Sequence, residues 1–265
     1  MTSISITFSK NVHFRNIIAS MNEISHQVNF EFNNDGLYIQ GNDNGNIALM
    51  DLNLDKTYFD TFEMSNDDDE AVIVIGVDIE ALNAILKCAD PSDQVSLSTN
   101  ENADKLLIII QNDSNKHEFE MNLIEIDREN MDIPDIEHDF IIKCEPKTLN
   151  KYVQYMSTLN SGDICFHLNK QIVHMEGISD KVKMKFELIG DNDDMSDDEI
   201  FKMTKHSNKE FKNSYSIPYF QKFMKATGIS KKVAICLTED MPLFIQYQFD
   251  DGNLNYYLAP RIDDD

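Results

Sequence analysis

Two runs of acids are the first places in this chain where side-chain chemistry could reside. Asp191 to Glu199 reads Asp-Asn-Asp-Asp-Met-Ser-Asp-Asp-Glu, a density of oxygen ligands that suits a hard cation. Met195 falls on a ligand position, however, and the glycine that turns a calcium loop is absent. Asn66-Asp67-Asp68-Asp69-Glu70 is a second run of the same kind, and both read as solvated loops between strands. A metal-dependent hydrolase built on these clusters is the rival reading that a calcium or magnesium titration would test. There is no Gly-x-x-x-x-Gly-Lys phosphate loop, no Gly-x-Ser-x-Gly elbow and no His-Glu-x-x-His, and the seven histidines are scattered. Cys88, Cys144, Cys165 and Cys236 show no Cys-x-x-Cys spacing, so they are expected as reduced core thiols. No catalytic residue, metal or cofactor is expected.

Charge points elsewhere. The 265 residues carry 23 Lys plus Arg against 47 Asp plus Glu, a formal net charge of −24. Such a chain should repel nucleic acid. Yet the four segments with helical periodicity, Lys10 to Met21, Asp78 to Lys87, Lys147 to Leu159 and Ile217 to Thr227, contain seven bases and two acids. The bases are Lys10, Arg15, Lys87, Lys147, Lys151, Lys222 and Lys225. Lys147 and Lys151 stand one turn apart, on the side away from Tyr152, Val153 and Met156, so helix bases can share a wet face. An ordinary solvated face is the bland reading of any one helix. Four helices of the same sign in so acidic a chain favour a segregated surface for a phosphate backbone, read without regard to sequence and sensitive to salt.

The elements that position these groups come in a repeated order. Ser3 to Phe8 alternates as a strand, and Ser9 or Asn11 is placed to cap a helix with Phe14, Ile17, Ile18 and Met21 inward. Strands follow at Val28 to Phe32, Leu37 to Gln40, Ile47 to Leu54 and Ala71 to Gly76, separated by turns rich in Asn, Asp and Gly. Asp78 then caps a second helix, and strands Val95 to Ser98, Leu106 to Gln111 and His117 to Asn122 close the first half. From Phe140 onward the order strand, helix, strands, helix, strands returns with little residue identity, which reads as a structural duplication. The fold class expected is α+β, helices packed on antiparallel sheet, with no membrane-spanning stretch and an intracellular setting.

Between the halves lies Leu123 to Glu137. Pro134 excludes helix just before it, and Ile124, Ile126, Met131, Ile133 and Ile136 stand among acids, so this connector must be covered by the protein or be part of a docking groove. Two strand segments offer complementary strips. In His117, Glu118, Phe119, Glu120 the acids share one face; Lys181, Lys183 and Lys185 share a face opposite Val182, Met184 and Phe186. If both are sheet edges, their pairing is heterologous and gives a ring or a filament.

These motifs together resemble the proliferating cell nuclear antigen family of DNA sliding clamps over essentially the whole chain. The resemblance rests on Ala81 to Ala89, Asn102-Ala-Asp104, Glu120 to Leu123, Ile133-Pro134, Lys225-Ala-Thr227, Met241-Pro-Leu243 and Tyr256-Tyr-Leu-Ala-Pro-Arg-Ile262, in that order. It implies a DNA clamp fold of two similar domains, 1–122 and 139–260, joined by the connector 123–138 and followed by an acidic tail, 261–265. It implies a non-enzymatic homotrimeric ring that encircles duplex DNA, tethers DNA polymerase and replication or repair proteins, and is opened by a clamp loader. Partners would insert a short hydrophobic motif against Leu49, Ile126, Met131, Ile133, Pro134, Met241, Pro242, Tyr257, Ala259 and Pro260. The strip residues would form the subunit interface, Lys170 would match the family's ubiquitin or SUMO acceptor, and localisation would be nuclear, or a viral replication compartment in the cytoplasm. A related clamp for viral transcription or checkpoint signalling is the rival within the fold. The chain departs from the family pattern at Asn42 to Asn46, at Asp132, and at inner-face positions Asn16, Asn22, Ala84 and Gln154, where bases are lost.

Overall fold

The computed structural model describes residues 3–65, 72–100, 104–127, 130–168, 173–188, 201–205 and 210–261. The chain divides into two compact units, Met1–Asp132 with Phe249–Leu254, and Ile133–Gln248 with Asn255–Asp265. The division falls inside the connector.

In the first half the order is β1 (Ser3–Phe8), α1 (Asn11–Met21), β2 (Gln27–Asn33), β3 (Gly36–Asn42), β4 (Ala48–Asp55), β5 (Thr61–Ser65), β6 (Ile73–Asp78), α2 (Ile79–Leu86), β7 (Gln94–Asn100), β8 (Lys105–Gln111) and β9 (Lys116–Asn122). The second half repeats it as β10 (Phe140–Cys144), α3 (Pro146–Thr158), β11 (Asp163–Leu168), β12 (Val173–Ile178), β13 (Lys183–Leu188), β14 (Phe201–Lys205), β15 (Phe211–Ser216), α4 (Ile217–Phe223), β16 (Val233–Leu237), β17 (Leu243–Phe249) and β18 (Gly252–Leu258). Sheet order repeats as well. β5-β1-β7-β8-β9 corresponds to β14-β10-β16-β17-β18, and β6-β2-β3-β4 to β15-β11-β12-β13. The pairs β1–β5, β10–β16, β11–β15, β3–β4 and β8–β9 are antiparallel, and the duplication and the α+β class expected from the sequence are both present.

Three strands, β5, β14 and β15, escape the sequence reading. The first, Thr-Phe-Glu-Met-Ser, is a short edge strand whose residues are exposed or half-buried, so it lacks a buried alternating face. The expected cap of α1 is also corrected. Lys10 occupies the cap position without a side-chain bond to the helix amides; Ser9 donates to Asp60 at 2.6 Å, and Asn11 is buried, donating to the Asp90 carbonyl at 2.8 Å. Asp78 caps α2 as expected, accepting from the Ala81 amide at 2.9 Å.

In each unit a helix pair buries its apolar stripe on the sheets: α1 packs on α2, and α3 on α4. Phe14, Ile17, Ile18 and Met21 are fully buried, with Phe8 and Phe14 rings 4.5 Å apart. In the second unit Leu149, Val153, Met156, Phe220 and Phe223 fill the same role. There Phe223 stacks on Tyr256 at 4.5 Å, and the buried Tyr247 hydroxyl donates to the Phe223 carbonyl at 3.1 Å. Each such aromatic contributes about 1.5–3 kcal/mol by leaving water, which is why the helices turn their bases outward.

Candidate nucleic-acid interface and docking surfaces

With their apolar stripes buried, the helices present their bases to solvent. In the first unit Lys87 is exposed and Arg15 half-buried, its guanidinium 3.5 Å from the Ala89 carbonyl. Lys10 differs from the other six. Its ammonium lies 2.7 Å from Asp251 and 5.3 Å from the Tyr58 ring centre, and that hydrogen bond holds the Asp251 carboxyl below the usual carboxylate range. Asp251 also accepts from Thr57, and Tyr58 shares a 3.0 Å contact with His13 Nδ1. Lys10 therefore ties residues 249–254 to α1, a role the helix periodicity could not reveal.

In the second unit Lys147, Lys151 and Lys225 are exposed and Lys222 half-buried. Lys151 lies 5.7 Å over Tyr155 and Lys222 5.1 Å over Tyr219, so aromatic faces steer both ammonium groups. The segments α1, α3 and α4 contain no acid.

Both strips of the sequence reading lie on sheet edges. β9 ends the five-stranded sheet, with Lys116, Glu118 and Glu120 on one face and Phe119 and Met121 on the other. β13 ends its sheet, with Lys183 and Lys185 exposed and Met184 and Phe186 half-buried; Lys181 lies in the preceding turn. The charges are partly satisfied within the chain. Glu120 pairs with Lys105 at 2.6 Å, which lowers the Glu120 pKa, Glu118 with Lys116 at 2.5 Å, and Lys183 with Glu176 at 3.3 Å. Beside β13 lies an apolar patch that the sequence reading missed: Tyr155, Leu159, Ile178 and Val182 are exposed, Ile178 to 61%. Tyr152 and Tyr155 flank Phe186, at 4.5 and 6.4 Å. The signal was a second stripe on α3, Tyr152, Tyr155 and Leu159, running beside the buried one.

The docking set divides between the units, and each part has its own geometry. In the first unit the connector starts by bridging to β6, the Ile124 amide donating to the Gly76 carbonyl at 3.0 Å. Farther along, the Gln40 side chain grips Met131, accepting from its amide at 2.6 Å and donating to its carbonyl at 3.0 Å. Met131 is held with its side chain 51% exposed. Leu49 and Ile126 are half-buried, and Ile47, which the sequence reading passed over, is 42% exposed. The Asp43 carboxylate accepts from the Gly45, Ile47 and Ala48 amides and so fixes the turn that presents it.

In the second unit Pro134, Pro242 and Ala259 are exposed, and Ile133, Met241, Tyr257 and Pro260 half-buried. Arg261 anchors the C-terminal stretch: its amide donates to the Ser214 carbonyl at 2.7 Å and its Nε to Asp163 at 3.0 Å. Phe244 and His138 were not foreseen as companions of Tyr257. Phe244 stacks on Tyr257 at 4.9 Å and on His138 at 5.4 Å. The available signal was an aromatic, Phe244, on the otherwise polar outward set of β17, Gln246 and Gln248.

Lys170, the residues 66–70 and the residues 191–199 lie outside the described residues. Among the described residues no group of three His, Cys, Asp or Glu side chains is placed to hold a metal ion, and no helix is long and apolar enough to cross a membrane.

A curated relative, the "Probable DNA polymerase sliding clamp 2" of Paramecium bursaria Chlorella virus 1, is 28% identical over 256 residues, covering 95% of this chain and 88% of its own. The crystal structure of proliferating cellular nuclear antigen from Entamoeba histolytica superposes with a TM-score of 0.86 at 22% identity, covering 99% of this chain and all of that one, and so shares the fold. Residues 4–131 match the N-terminal domain of proliferating cell nuclear antigen and residues 132–262 its C-terminal domain, and the chain belongs to that family, the DNA sliding clamps, which are non-enzymatic processivity factors.

Proposed function

We propose that three copies of this sliding clamp close head to tail into a ring around duplex DNA, tethering DNA polymerase and other replication or repair proteins to it. The observation that carries the reading is the repeat itself. Within the first unit, residues 252–254 of β18 run along β4, so closely that a β-carbon on Gly252 would lie 2.2 Å from the Asn53 carbonyl oxygen. In the duplicated order β9 is the counterpart of β18, and β13 the counterpart of β4. Both counterparts are sheet edges, and an antiparallel pairing of β9 in one copy with β13 in the next would give each edge the neighbour that its counterpart has. An uncovered edge with half-buried Phe186 beside an exposed apolar patch is a liability that such pairing removes.

Arg15, Lys87, Lys147, Lys151, Lys222 and Lys225 would then face the phosphates. With a net charge of −24 the chain as a whole repels DNA, so retention depends on enclosure more than on affinity. Polymerase, clamp loader and other partners would dock a short hydrophobic motif on the connector, Met241-Pro242 and Tyr257 to Pro260. Action would take place where DNA is replicated, in a nucleus or in a viral replication compartment of the cytoplasm.

The test is native mass spectrometry together with loading onto nicked circular and linear duplexes by a clamp loader. A trimer that stays on circles and slides off linear ends is expected. A monomer, or equal retention on both, would refute enclosure.

A further inference from the structure

His138 stands at the end of the connector and has no part in the docking surface read from the sequence. In the second unit it completes a three-ring stack. Phe244 lies in the middle, its plane 22° from that of His138 and 19° from that of Tyr257. His138 Nδ1 is 3.0 Å from the Thr238 hydroxyl, which fixes the ring against the turn after β16. All three residues are half-buried, so each keeps part of its surface in water.

We propose that docking of an apolar peptide segment on this stack requires the neutral form of His138, so that a single proton gates the site. The inference rests on the docking reading given above and adds a regulatory group to it.

The physical reason is desolvation. A ligand that covers the stack removes further water from the imidazole, and an ionised ring without water costs far more than a neutral one. The ring already leans that way: burial pulls its pKa below the ordinary histidine value, outweighing Asp135 and Asp139, whose carboxylates favour the cation. Those two are the acids that act on it from its own segment. Asp139 is itself engaged, accepting from the Glu239 amide at 3.1 Å. Thr238 and Phe244, which pack against the ring from the neighbouring turn and strand, carry no charge, and Tyr257 lies beyond Phe244.

The sign follows from linkage. Docking lowers the His138 pKa further, so binding expels a proton when the free ring is charged. Affinity is full above the pKa of the free ring and falls as pH drops through it, by up to about tenfold per pH unit. The stacked geometry also separates two roles of the residue: a phenylalanine at 138 keeps the aromatic wall and loses the proton.

The experiment is calorimetric titration of the full chain with a capped peptide of about twelve residues, bearing one aliphatic plug, two neighbouring aromatics and flanking lysines, but no His, Asp or Glu. Between about pH 7.5 and pH 5.5 the wild type is expected to lose affinity, with proton release at the lower pH. His138→Phe and His138→Gln should bind with no such difference, circular dichroism confirming that each folds; the glutamine keeps a partner for Thr238 and carries the test if the phenylalanine does not fold. Equal wild-type affinity at both pH values, or a pH dependence retained in both variants, would overturn the gate while leaving docking intact. Absence of binding to the wild type at either pH would overturn the docking reading, and the gate with it.

Discussion

A β-carbon placed on Gly76 would lie 2.0 Å from the carbonyl oxygen of Ile124 and 3.1 Å from the Ile126 side chain. Gly76 thus admits the start of the connector to the edge of β6, where the two residues form an isolated bridge. Gly76→Val should lift the connector, cost about 1–3 kcal/mol by overpacking and weaken binding of a docking peptide. Hydrogen exchange at the Ile124 amide checks it: unchanged protection in the variant would mean that the bridge does not hold the connector.

Lys10 and Asp251 make a pH-dependent contribution to stability. The Lys10 hydrogen bond is the largest influence on the carboxyl and depresses its folded-state pKa, so the stabilisation is present above the ordinary carboxylate range and is lost as pH falls through the depressed value. Lys10→Met should lower the melting temperature at neutral pH and make less difference at acid pH. A stability gap of the same size at both pH values would show that the lysine acts through packing on Tyr58 instead.

Subunit pairing should depend more on the apolar patch than on the strips. Glu118, Glu120 and Lys183 already have partners in their own chain, and exposed pairs contribute about 1 kcal/mol or less. Lys183→Glu with Lys185→Glu should therefore loosen the assembly modestly, while Ile178→Asp, at a position 61% exposed in the single chain, should break it outright. Sedimentation at micromolar concentration measures both. An Ile178→Asp protein that assembles like wild type would place the interface elsewhere.

Replacing Arg15, Lys151 and Lys225 by Ala should leave the fold intact, because these side chains are exposed or half-buried on helices. It should reduce polymerase processivity and flatten the salt dependence of retention on DNA, each lost phosphate contact lowering the slope by about 0.9. Lys10→Met should change that slope less, since Asp251 already neutralises this lysine. Wild-type processivity in the triple variant across salt concentrations would refute the inner-face assignment.

The sequence by itself determined the repeated order of elements, the four helices and the sign of their charge, because periodicities of two and 3.6 residues and the turn residues between them are local properties. It set Leu123 to Glu137 apart as neither helix nor plain linker, since apolar residues stand there among acids before Pro134. Edge strands such as β5 were illegible, since they lack a buried face and are defined only by the neighbours they pair with. Tertiary structure alone decided that Lys10 spends its charge on Asp251, 241 residues away in sequence, and that Gln40 grips Met131 across 91. It also brought His138, Phe244 and Tyr257 into one stack. Such contacts depend on which strands lie side by side, and strand pairing is a non-local outcome that no window of sequence contains.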